Sequence, residues 1–277
     1  MKFFIVVVLH VQYLIEIIGE LHLLERKILK NKPLVEAIFE LKWDIQQFEN
    51  GIDPHYRILP GSLFEKVRSQ YPYHEPLPTA TMPDAVCVYI IQHRFRKNKD
   101  TWPLIQIGQG ILTLNDTECY VWEDFEQRIA SLLDSFIEVY PEKDKLQFTE
   151  VTLRYIDGVQ FNHQKEDVFS FLDKDMKLKV QFHEDLLRET GIGKSPSGYD
   201  LRFDYPMDDL KGIAHARFRK GKLHNEDALI WETTTQSKDK SVLRGKEEIK
   251  IWLKKAHEFT AKWFFNMIEG DLLKRFE

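Results

Sequence analysis

Apolar and polar residues alternate strictly in the segment 34–43, LVEAIFELKW. One face of the segment carries the apolar side chains of Val35, Ala37, Phe39, Leu41 and Trp43. The other face carries the charged side chains of Glu36, Glu40 and Lys42. A period of two is typical of a strand with one face buried and the other towards solvent. The segment therefore predicts a half-buried β-strand.

Alternation, together with short apolar runs bounded by turn residues, predicts further strands along the chain. They fall at 86–95, 105–107, 111–114, 151–161, 199–205, 213–219 and 228–235. Gly108-Gln109-Gly110 separates two of these strands. It lacks the third glycine of a dinucleotide-binding loop and leads into a strand rather than a helix. We interpret it as a hairpin turn.

A helical period replaces the alternation in other segments. The clearest apolar stripe stops at Pro141 and consists of Trp122, Phe125, Ile129, Leu132, Leu133, Phe136 and Tyr140. Ser62 and Glu65 form a capping-box pattern, which predicts a short helix that begins at Ser62 and ends at Pro72. A polar helix is predicted over 166–188. A long C-terminal helix is also predicted, because apolar residues recur there at helical spacing. They are Trp252, Ala256, Phe259, Trp263 and Met267.

The two halves of the chain carry the same order of elements, and the string RFRKNK at 94–99 recurs as RFRKGK at 217–222. Three more pairs are collinear with it, namely Glu36/Glu150, Leu104/Leu229 and Trp122/Trp252. This series predicts an α+β protein with an internally duplicated strand-helix-strands-helix unit. We expect a mostly antiparallel sheet or sheets with helices packed on one side, the copies joining edge to edge or face to face. The predicted divisions are an N-terminal extension at 1–29, a first α+β repeat at 30–145 and a second at 146–277.

Residues 1–29 lie outside this repeat pattern and have three interpretations. Lys2 and the apolar run 3–9 resemble the start of a secretory signal or anchor, although polar residues from His10 onward interrupt the run before it reaches membrane length. The second interpretation is an extra helix over 11–29, because apolar residues recur there at helical spacing. The third is a mis-assigned start near residue 30.

Composition narrows the class of protein. The 277 residues are 43% hydrophobic and 30% charged, which is typical of an ordinary folded chain. The formal net charge of -5 argues against a protein that coats nucleic acid over its whole surface, since that needs an excess of Lys and Arg. Cys87 and Cys119 are too few and too far apart for a disulfide framework or a CxxC site. We therefore expect a cytoplasmic location and no membrane association.

Several segments resemble a sporadically distributed family of bacterial and archaeal proteins of about this length. The resemblance rests on PLVEAIFELKW at 33–43, PLIQIGQGILTLND at 103–116, VTLRYID at 151–157 and the aromatic C-terminal helix with Trp252, His257 and Phe259. It covers residues 30–277 and leaves 1–29 outside. No activity, substrate or catalytic residue carries over from this resemblance, which indicates relatives of the chain rather than its chemistry.

The two RFRK strings are candidates for binding phosphate or nucleic acid, because each places several cations around an aromatic ring at the predicted end of a strand. The candidate residues are Arg94, Arg96, Lys97, Lys99, Arg217, Arg219, Lys220 and Lys222. The structural alternative is that these cations keep strand ends and edges from pairing with other chains. The sequence favours that structural role and leaves a nucleic-acid binder as an alternative.

Glu36, Glu40 and Arg154 are the candidates for catalysis. Glu40-Leu41-Lys42 resembles the ExK of metal-dependent nucleases, although the preceding segment offers no strand whose acidic residue could share the Mg²⁺. A metal-dependent phosphate-chemistry enzyme, either nuclease or phosphohydrolase, is therefore one alternative. The other is structural, with the two glutamates on a solvent-facing strand and Arg154 forming an ion pair with one of them.

The remaining motifs fail, and their failure favours binding over catalysis. His183 and His257 each begin an HExxH pattern that lacks the second histidine, and no nucleophile elbow, Walker loop or kinase set is present. We predict no cofactor and no metal. The leading hypothesis is a prokaryotic binding or assembly protein with an accessory or defence role, whose partner is an unknown protein or a second copy of the chain. Trp263, Phe264 and Phe265 cannot all face one core, so we expect an interaction patch there.

Overall fold

The computed structural model describes residues 29–117, 120–193, 195–239 and 243–277. Its strands are β1 (Leu34–Trp43), β2 (Tyr73–Pro76), β3 (Ile91–Arg96), β4 (Leu104–Gly108), β5 (Ile111–Asp116), β6 (Phe148–Gln160), β7 (Asp200–Met207), β8 (Gly212–Leu223) and β9 (Glu226–Ser237). Its α-helices are α1 (Leu59–Val67), α2 (Trp122–Val139), α3 (Val168–Met176), α4 (Glu184–Thr190), α5 (Lys246–Ile268) and α6 (Asp271–Phe276). Short 3-10 helices lie at Glu49–Gly51, Pro78–Thr81, Asp84–Val86 and Lys143–Lys145.

These strands form one nine-stranded sheet in the order β2-β3-β4-β5-β1-β6-β9-β8-β7. Every pair of neighbouring strands is antiparallel. The pair β1 and β6 joins the two halves edge to edge, with Ile38 opposite Arg154. The predicted α+β class, with a mostly antiparallel sheet and helices on one side, is confirmed.

Each half begins with a central strand and adds its later strands outward from it. The first half runs β1, β5, β4, β3 and β2 from the centre, and the second runs β6, β9, β8 and β7. The recurring RFRK strings do not occupy equivalent strands. Arg94 lies in β3, the third strand outward from β1, whereas Arg217 lies in β8, the second strand outward from β6. The second string also lies within its strand rather than at its end. The matching of these two strings is therefore wrong, although each half closes with a long helix.

One side of the sheet, here called the helix face, is covered by the helices. Phe39, Leu41 and Trp43 of β1 are completely buried there, and the Trp43 ring lies 4.9 Å from that of Phe136 on α2. The α2 stripe predicted from sequence is buried throughout, from Trp122 to Tyr140. This first core belongs mainly to the first half. The spacing of apolar residues places them on one face of β1 and on one face of α2, and these two faces pack against each other.

A second core lies on the helix face of the other half. It joins Trp231 of β9 and Phe218 of β8 to α3, α6 and the end of α5. Trp263, Phe264 and Phe265 are partly buried and pack against this core. The exposed aromatic patch expected at these three residues is therefore not formed.

Several helix boundaries differ from the sequence expectation. Ser62 does not cap α1, because the helix begins at Leu59 and the Ser62 amide already donates to Ile58 O at 3.0 Å. Pro60 fits the first turn, where no intrahelical donor is needed. The helix expected over 166–188 is broken after α3 by Lys177, whose φ of 52° is left-handed.

The ends of two other elements also differ. The strand expected to begin at Val86 begins at Ile91, because Asp84–Val86 form a 3-10 helix. The C-terminal helix ends at Ile268, and Gly270 with φ of 127° turns the chain into α6. A left-handed backbone is accessible to glycine at little cost, so this residue permits the turn.

The three interpretations of residues 1–29 concern a segment that, except for Leu29, lies outside the described residues. Leu29 itself is buried in the second core. Cys119 also lies outside, whereas Cys87 is a buried free thiol. Among the described helices, none is both long enough and apolar enough to cross a membrane.

Candidate functional site

The side of the sheet opposite the described helices carries polar and charged side chains, and we call it the polar face. Strand register assigns its members, since directly opposed residues point to the same side. They include Arg94 and Arg96 on β3, Gln106 on β4, Thr113 and Asn115 on β5, Glu36, Glu40 and Lys42 on β1, Glu150, Thr152 and Arg154 on β6, Glu232, Thr234 and Gln236 on β9, and His215, Arg217 and Arg219 on β8.

The polar face brings together the three residues proposed for catalysis. Glu36 and Glu40 lie on β1 to either side of Ile38, which is directly opposite Arg154 on β6. The expected ion pair between Arg154 and a glutamate is nevertheless absent from the described part of the chain. Both glutamates already bond to other groups, Glu36 to Asn115 and Glu40 to Lys42. This expectation is therefore wrong, although the three residues share one face.

Glu36 ends a chain of hydrogen bonds that crosses β3, β4, β5 and β1. Arg94 Nε donates to Gln106 Oε1 at 2.8 Å, and Gln106 Nε2 donates to Asn115 Oδ1 at 3.2 Å. Asn115 Nδ2 then donates to Glu36 Oε1 at 2.9 Å. Trp102 Nε1 donates to the same oxygen at 3.2 Å from the β3–β4 connection. These bonds fix the side chains of four neighbouring strands relative to one another.

Glu40 is held by Lys42, which bridges two carboxylates. Lys42 Nζ lies 3.2 Å from Glu40 Oε1 and 2.7 Å from Glu150 Oε1. Burial alone would lower the pKa of Lys42, but hydrogen bonds and attraction from Glu150 and Glu40 outweigh it and raise that pKa. Lys238 approaches the second Glu150 oxygen at 3.5 Å. Cations therefore occupy the space between these carboxylates, where a divalent metal would have to bind.

The metal site required by the phosphate-chemistry alternative does not assemble in the described ranges. Among those residues, no three His, Cys, Asp or Glu side chains lie together in a way that could hold an ion. Mg²⁺ sites are built from several oxygen ligands, of which carboxylates are the main protein source. The geometry of Glu36, Glu40 and Arg154 therefore gives this alternative no support.

The arginines of the RFRK strings share the polar face but are mostly neutralised. Arg96 is buried and its Nε lies 3.0 Å from Glu75 Oε2. Arg217 Nε lies 2.8 Å from Asp200 Oδ1, and Arg219 Nε lies 3.3 Å from Glu232 Oε1. Hydrogen bonds from Arg217 and Arg202 lower the pKa of Asp200. These arginines therefore hold the sheet together by ion pairs and are poorly placed to meet phosphates.

The lysines of the strings do not join this face. Lys97 and Lys99 are exposed in the β3–β4 connection. Lys220 lies 3.9 Å from Asp227, and Lys222 is exposed near the end of β8. The structure thus scatters the eight predicted cations rather than concentrating them, and a continuous cationic surface is not formed by them.

Two residues at the centre of the polar face differ from their neighbours. Arg154 is half-buried and makes no hydrogen bond or ion pair within the described part of the chain. Thr152, two residues earlier on the same face, is 2% exposed, and its Oγ1 is buried without a hydrogen-bond partner. Sequence reasoning selected Arg154 and missed Thr152, because a threonine in a strand carries no signal of its own until its neighbours are known.

A second polar cluster lies on the helix face, where β6 meets the start of α2 and the middle of α5. The hydroxyl oxygens of Tyr120 and Tyr155 are 2.7 Å apart, and Tyr155 Oη lies 3.0 Å from His257 Nδ1. The Trp122 ring stacks on His257 at 3.9 Å. Burial, followed by Tyr120, raises the pKa of Tyr155 well above its usual value. His257, which begins an incomplete HExxH pattern, therefore makes both a ring-stacking contact and a polar contact.

Asp157 lies beside this cluster on β6 and is 4% exposed. It is directly opposite Trp231, whose Nε1 is buried without a partner. Burial raises the pKa of Asp157 to about 8, so its carboxyl is largely protonated at neutral pH. The alternation in VTLRYIDGVQF placed Asp157 with the apolar face, but periodicity alone does not reveal that an acid there lacks a partner.

Comparison with known proteins adds no relative from which a role could be transferred. No protein-family model matches the chain, and no curated protein matches it. Among solved structures, it is similar to the di-domain ARO/CYC BexL from the BE-7585A biosynthetic pathway, with 12% identity, 85% of this chain and 98% of that chain covered, and a TM-score of 0.19. It is also similar to the di-domain ARO/CYC StfQ from the steffimycin biosynthetic pathway, at 8% identity, 87% and 97% coverage and a TM-score of 0.20. Superpositions this poor carry no argument about function.

Proposed function

We propose that this chain is a binding protein that engages a partner protein through the polar face of its sheet. The observation that supports the proposal is that the helices packed against the sheet, α1, α2, α3, α5 and α6, lie on the opposite side, while side chains across the polar face are held by hydrogen bonds and ion pairs. A surface whose polar groups are already ordered loses little side-chain entropy when it binds. Such a face suits recognition of a complementary polar surface.

Catalysis and nucleic-acid binding have less support. A general acid or base needs a group that is free to exchange a proton, whereas Glu36 and Glu40 are committed to neighbouring donors. A nucleic-acid surface needs cations free of carboxylates, and Arg96, Arg217 and Arg219 are paired with acids. We therefore place binding ahead of phosphate chemistry and of nucleic-acid recognition.

The setting that we propose is the cytoplasm of a prokaryote, in an accessory or defence role. The resemblance to a sporadically distributed bacterial and archaeal family supports the prokaryotic source, and the near absence of cysteine supports a reducing compartment. The partner we favour is a different protein rather than a second copy, because the polar face contains both charge signs in fixed places and so can specify one complementary surface.

The test uses one substitution on each side of the sheet. Gln236→Arg places a bulky charge on the polar face beside Thr152, at a residue that makes no side-chain hydrogen bond within the described ranges. Glu258→Arg introduces the same side chain at an exposed position of α5. The wild type and both variants are used to capture proteins from lysate of the source organism at low and high salt, and the captured protein is then purified and its affinity measured.

We expect Gln236→Arg to weaken the purified complex by at least about tenfold, the effect of one badly placed charge at an interface. Glu258→Arg should leave the affinity unchanged. Equal affinity for all three chains, or a loss caused by Glu258→Arg alone, would contradict the proposal. Recovery of nucleic acid in place of a protein, released by salt, would also contradict it and favour the nucleic-acid alternative.

A further inference from the structure

Arg154 takes no part in the ion pairs that the described residues form on the polar face. The carboxylates around Arg154 are all bonded elsewhere: Glu36 accepts from Asn115, Glu40 is held by Lys42, and Glu232 is shared by Arg217 and Arg219. Arg154 lies between these groups, at the centre of the sheet, and no described side chain accepts from it. A guanidinium presents five N–H donors, so Arg154 keeps its donors available for an anion.

Two hydroxyl groups lie next to this guanidinium on the same face. Thr152 is two residues away along β6, and its Oγ1 is buried without a partner. Thr234 is directly opposite Arg154 on β9. The Cα atoms of alternate residues in a strand are about 6.6 Å apart, and those of directly opposed residues about 5 Å apart. Backbone spacing therefore puts the three residues close enough together to share one small bound group.

We infer that Arg154, Thr152 and Thr234 bind an oxyanion, a carboxylate or phosphate group that the partner presents to the polar face. The inference rests on the proposed function and names the chemistry at the centre of its surface. The guanidinium supplies two parallel N–H donors to two oxygens of the anion, the geometry in which arginine recognises carboxylates and phosphates. The threonine hydroxyls donate to the remaining oxygen atoms, and Thr152 thereby gains the partner that it lacks.

The charges nearby favour the β9 side of Arg154. Glu36 and Glu40 lie on the β1 side, so an anion there would meet two carboxylates. On the other side the carboxylates Glu232 and Asp200 are paired with Arg217 and Arg219, so an anion there meets no carboxylate that lacks an arginine partner. Thr234 lies on that side as well. The site is thus bounded by Arg154 and the two threonines and faces away from the acids of β1.

The experiment titrates the purified full chain with defined anions and needs no knowledge of the partner. Inorganic phosphate, sulfate and citrate are each titrated at constant ionic strength by isothermal titration calorimetry, with chloride as the reference. The variants are Arg154→Gln, which keeps donors but removes the charge, and Thr152→Val, which removes the hydroxyl and keeps the shape. Arg68→Gln, at an exposed position that follows α1, is the matched control.

We expect one anion per chain, with an affinity that falls at least about tenfold in Arg154→Gln and several-fold in Thr152→Val, as lost charge-assisted and neutral hydrogen bonds imply. Arg68→Gln should bind like the wild type. Preference for phosphate and sulfate indicates a phosphoryl group on the partner, and preference for citrate indicates a carboxylate.

The inference is overturned if no anion binds more tightly than chloride, or if Arg154→Gln binds as the wild type does. That failure is separable from failure of the proposed function. If the partner is still captured and Gln236→Arg still weakens the complex, the polar face binds a protein without an anion at Arg154. If Gln236→Arg also leaves the affinity for the captured protein unchanged, both proposals are contradicted.

Discussion

The two faces of the central strands β1 and β6 differ in how their charged side chains are surrounded. On β1, Lys42 lies on the polar face between two carboxylates, while its neighbour Trp43 is completely buried on the helix face. On β6, Arg154 lies on the polar face, and Asp157, three residues later, is buried on the helix face without an ion-pair partner in the described ranges. Adjacent residues of one strand therefore experience different dielectric surroundings.

The difference shows that a charged residue in a strand is tolerated for one of two reasons. On the polar face, side chains of opposite charge form ion pairs, as Lys42 does with Glu40 and Glu150. On the helix face, burial removes hydration, and Asp157 avoids the cost by keeping its proton, as the rise of its pKa to about 8 indicates.

The largest effect is expected from Trp43→Ala on the helix face. The indole packs against Phe136, and its Nε1 donates to the buried Asp53 Oδ2 at 3.0 Å. Its removal leaves a cavity and weakens the bonding of a buried carboxylate, so we expect the free energy of unfolding to fall by about 4–5 kcal/mol. Urea denaturation measures this. Trp102→Ala, at a residue 41% exposed, should cost below about 1 kcal/mol, and similar losses for both variants would contradict the contrast.

The next effect is a stabilisation by Asp157→Asn at neutral pH. The folded pKa of Asp157 is about 8 against an ordinary value of 3.8, so the folded state holds a proton that the unfolded state releases above pH 4. Stability of the wild type therefore falls as pH rises from about 4 to about 8 and is level above that range. Asparagine removes this titration, and we expect it to stabilise the fold by roughly 2–3 kcal/mol at pH 7, since the amide is also costly to bury.

The pH dependence separates this cause from a simple packing change. Urea midpoints of the wild type and Asp157→Asn should diverge from about pH 4 to pH 8 and run parallel above it. Asp53→Asn is the matched control, because buried Asp53 accepts from Trp43, Tyr140 and the amide of His55. That substitution should destabilise the fold. A difference between wild type and Asp157→Asn that is constant with pH would show that the Asp157 carboxyl does not titrate in this range.

The smallest effect is expected from Lys42→Met on the polar face. Loss of the ammonium group leaves Glu40 and Glu150 without their shared cation, and their repulsion should lower the free energy of unfolding at pH 7 by about 1–2 kcal/mol. Lys274→Met, whose partner Asp271 is mostly exposed, should leave the free energy of unfolding nearly unchanged. An equal effect of both substitutions would show that the polar face does not order its charges.

Sequence patterns predicted the elements that depend on local periodicity. The β1 strand and the α2 stripe were predicted within a residue or two, because each repeats one apolar spacing along its length. The patterns failed where a single residue decides the backbone, as at Lys177 between α3 and α4 and at Gly270 after α5. The repeated RFRK string also misled, since its similarity lies in strands at different distances from the centre of the sheet.

The candidate site was predicted in part. Placing Glu36, Glu40 and Arg154 on one face required only the alternation of each strand and correct adjacency of the two halves. Their bonding could not be predicted, because Glu36 is held by Asn115 on β5 and Glu40 by Lys42 on its own strand. Thr152 and Asp157 became distinctive only when their neighbours were known, since an absent partner is a property of the surroundings.

The sequence by itself determined the α+β class, the two buried stripes that define β1 and α2, and the separation of polar from apolar faces, because these follow from spacings of two and of about 3.6 residues. Tertiary structure alone decided that β1 and β6 meet at the centre of one sheet, which carboxylates neutralise which cations, and that Arg154 remains unpaired among them. Those outcomes depend on contacts between strands far apart in the chain, and local periodicity carries no information about which of several acids a given cation will reach.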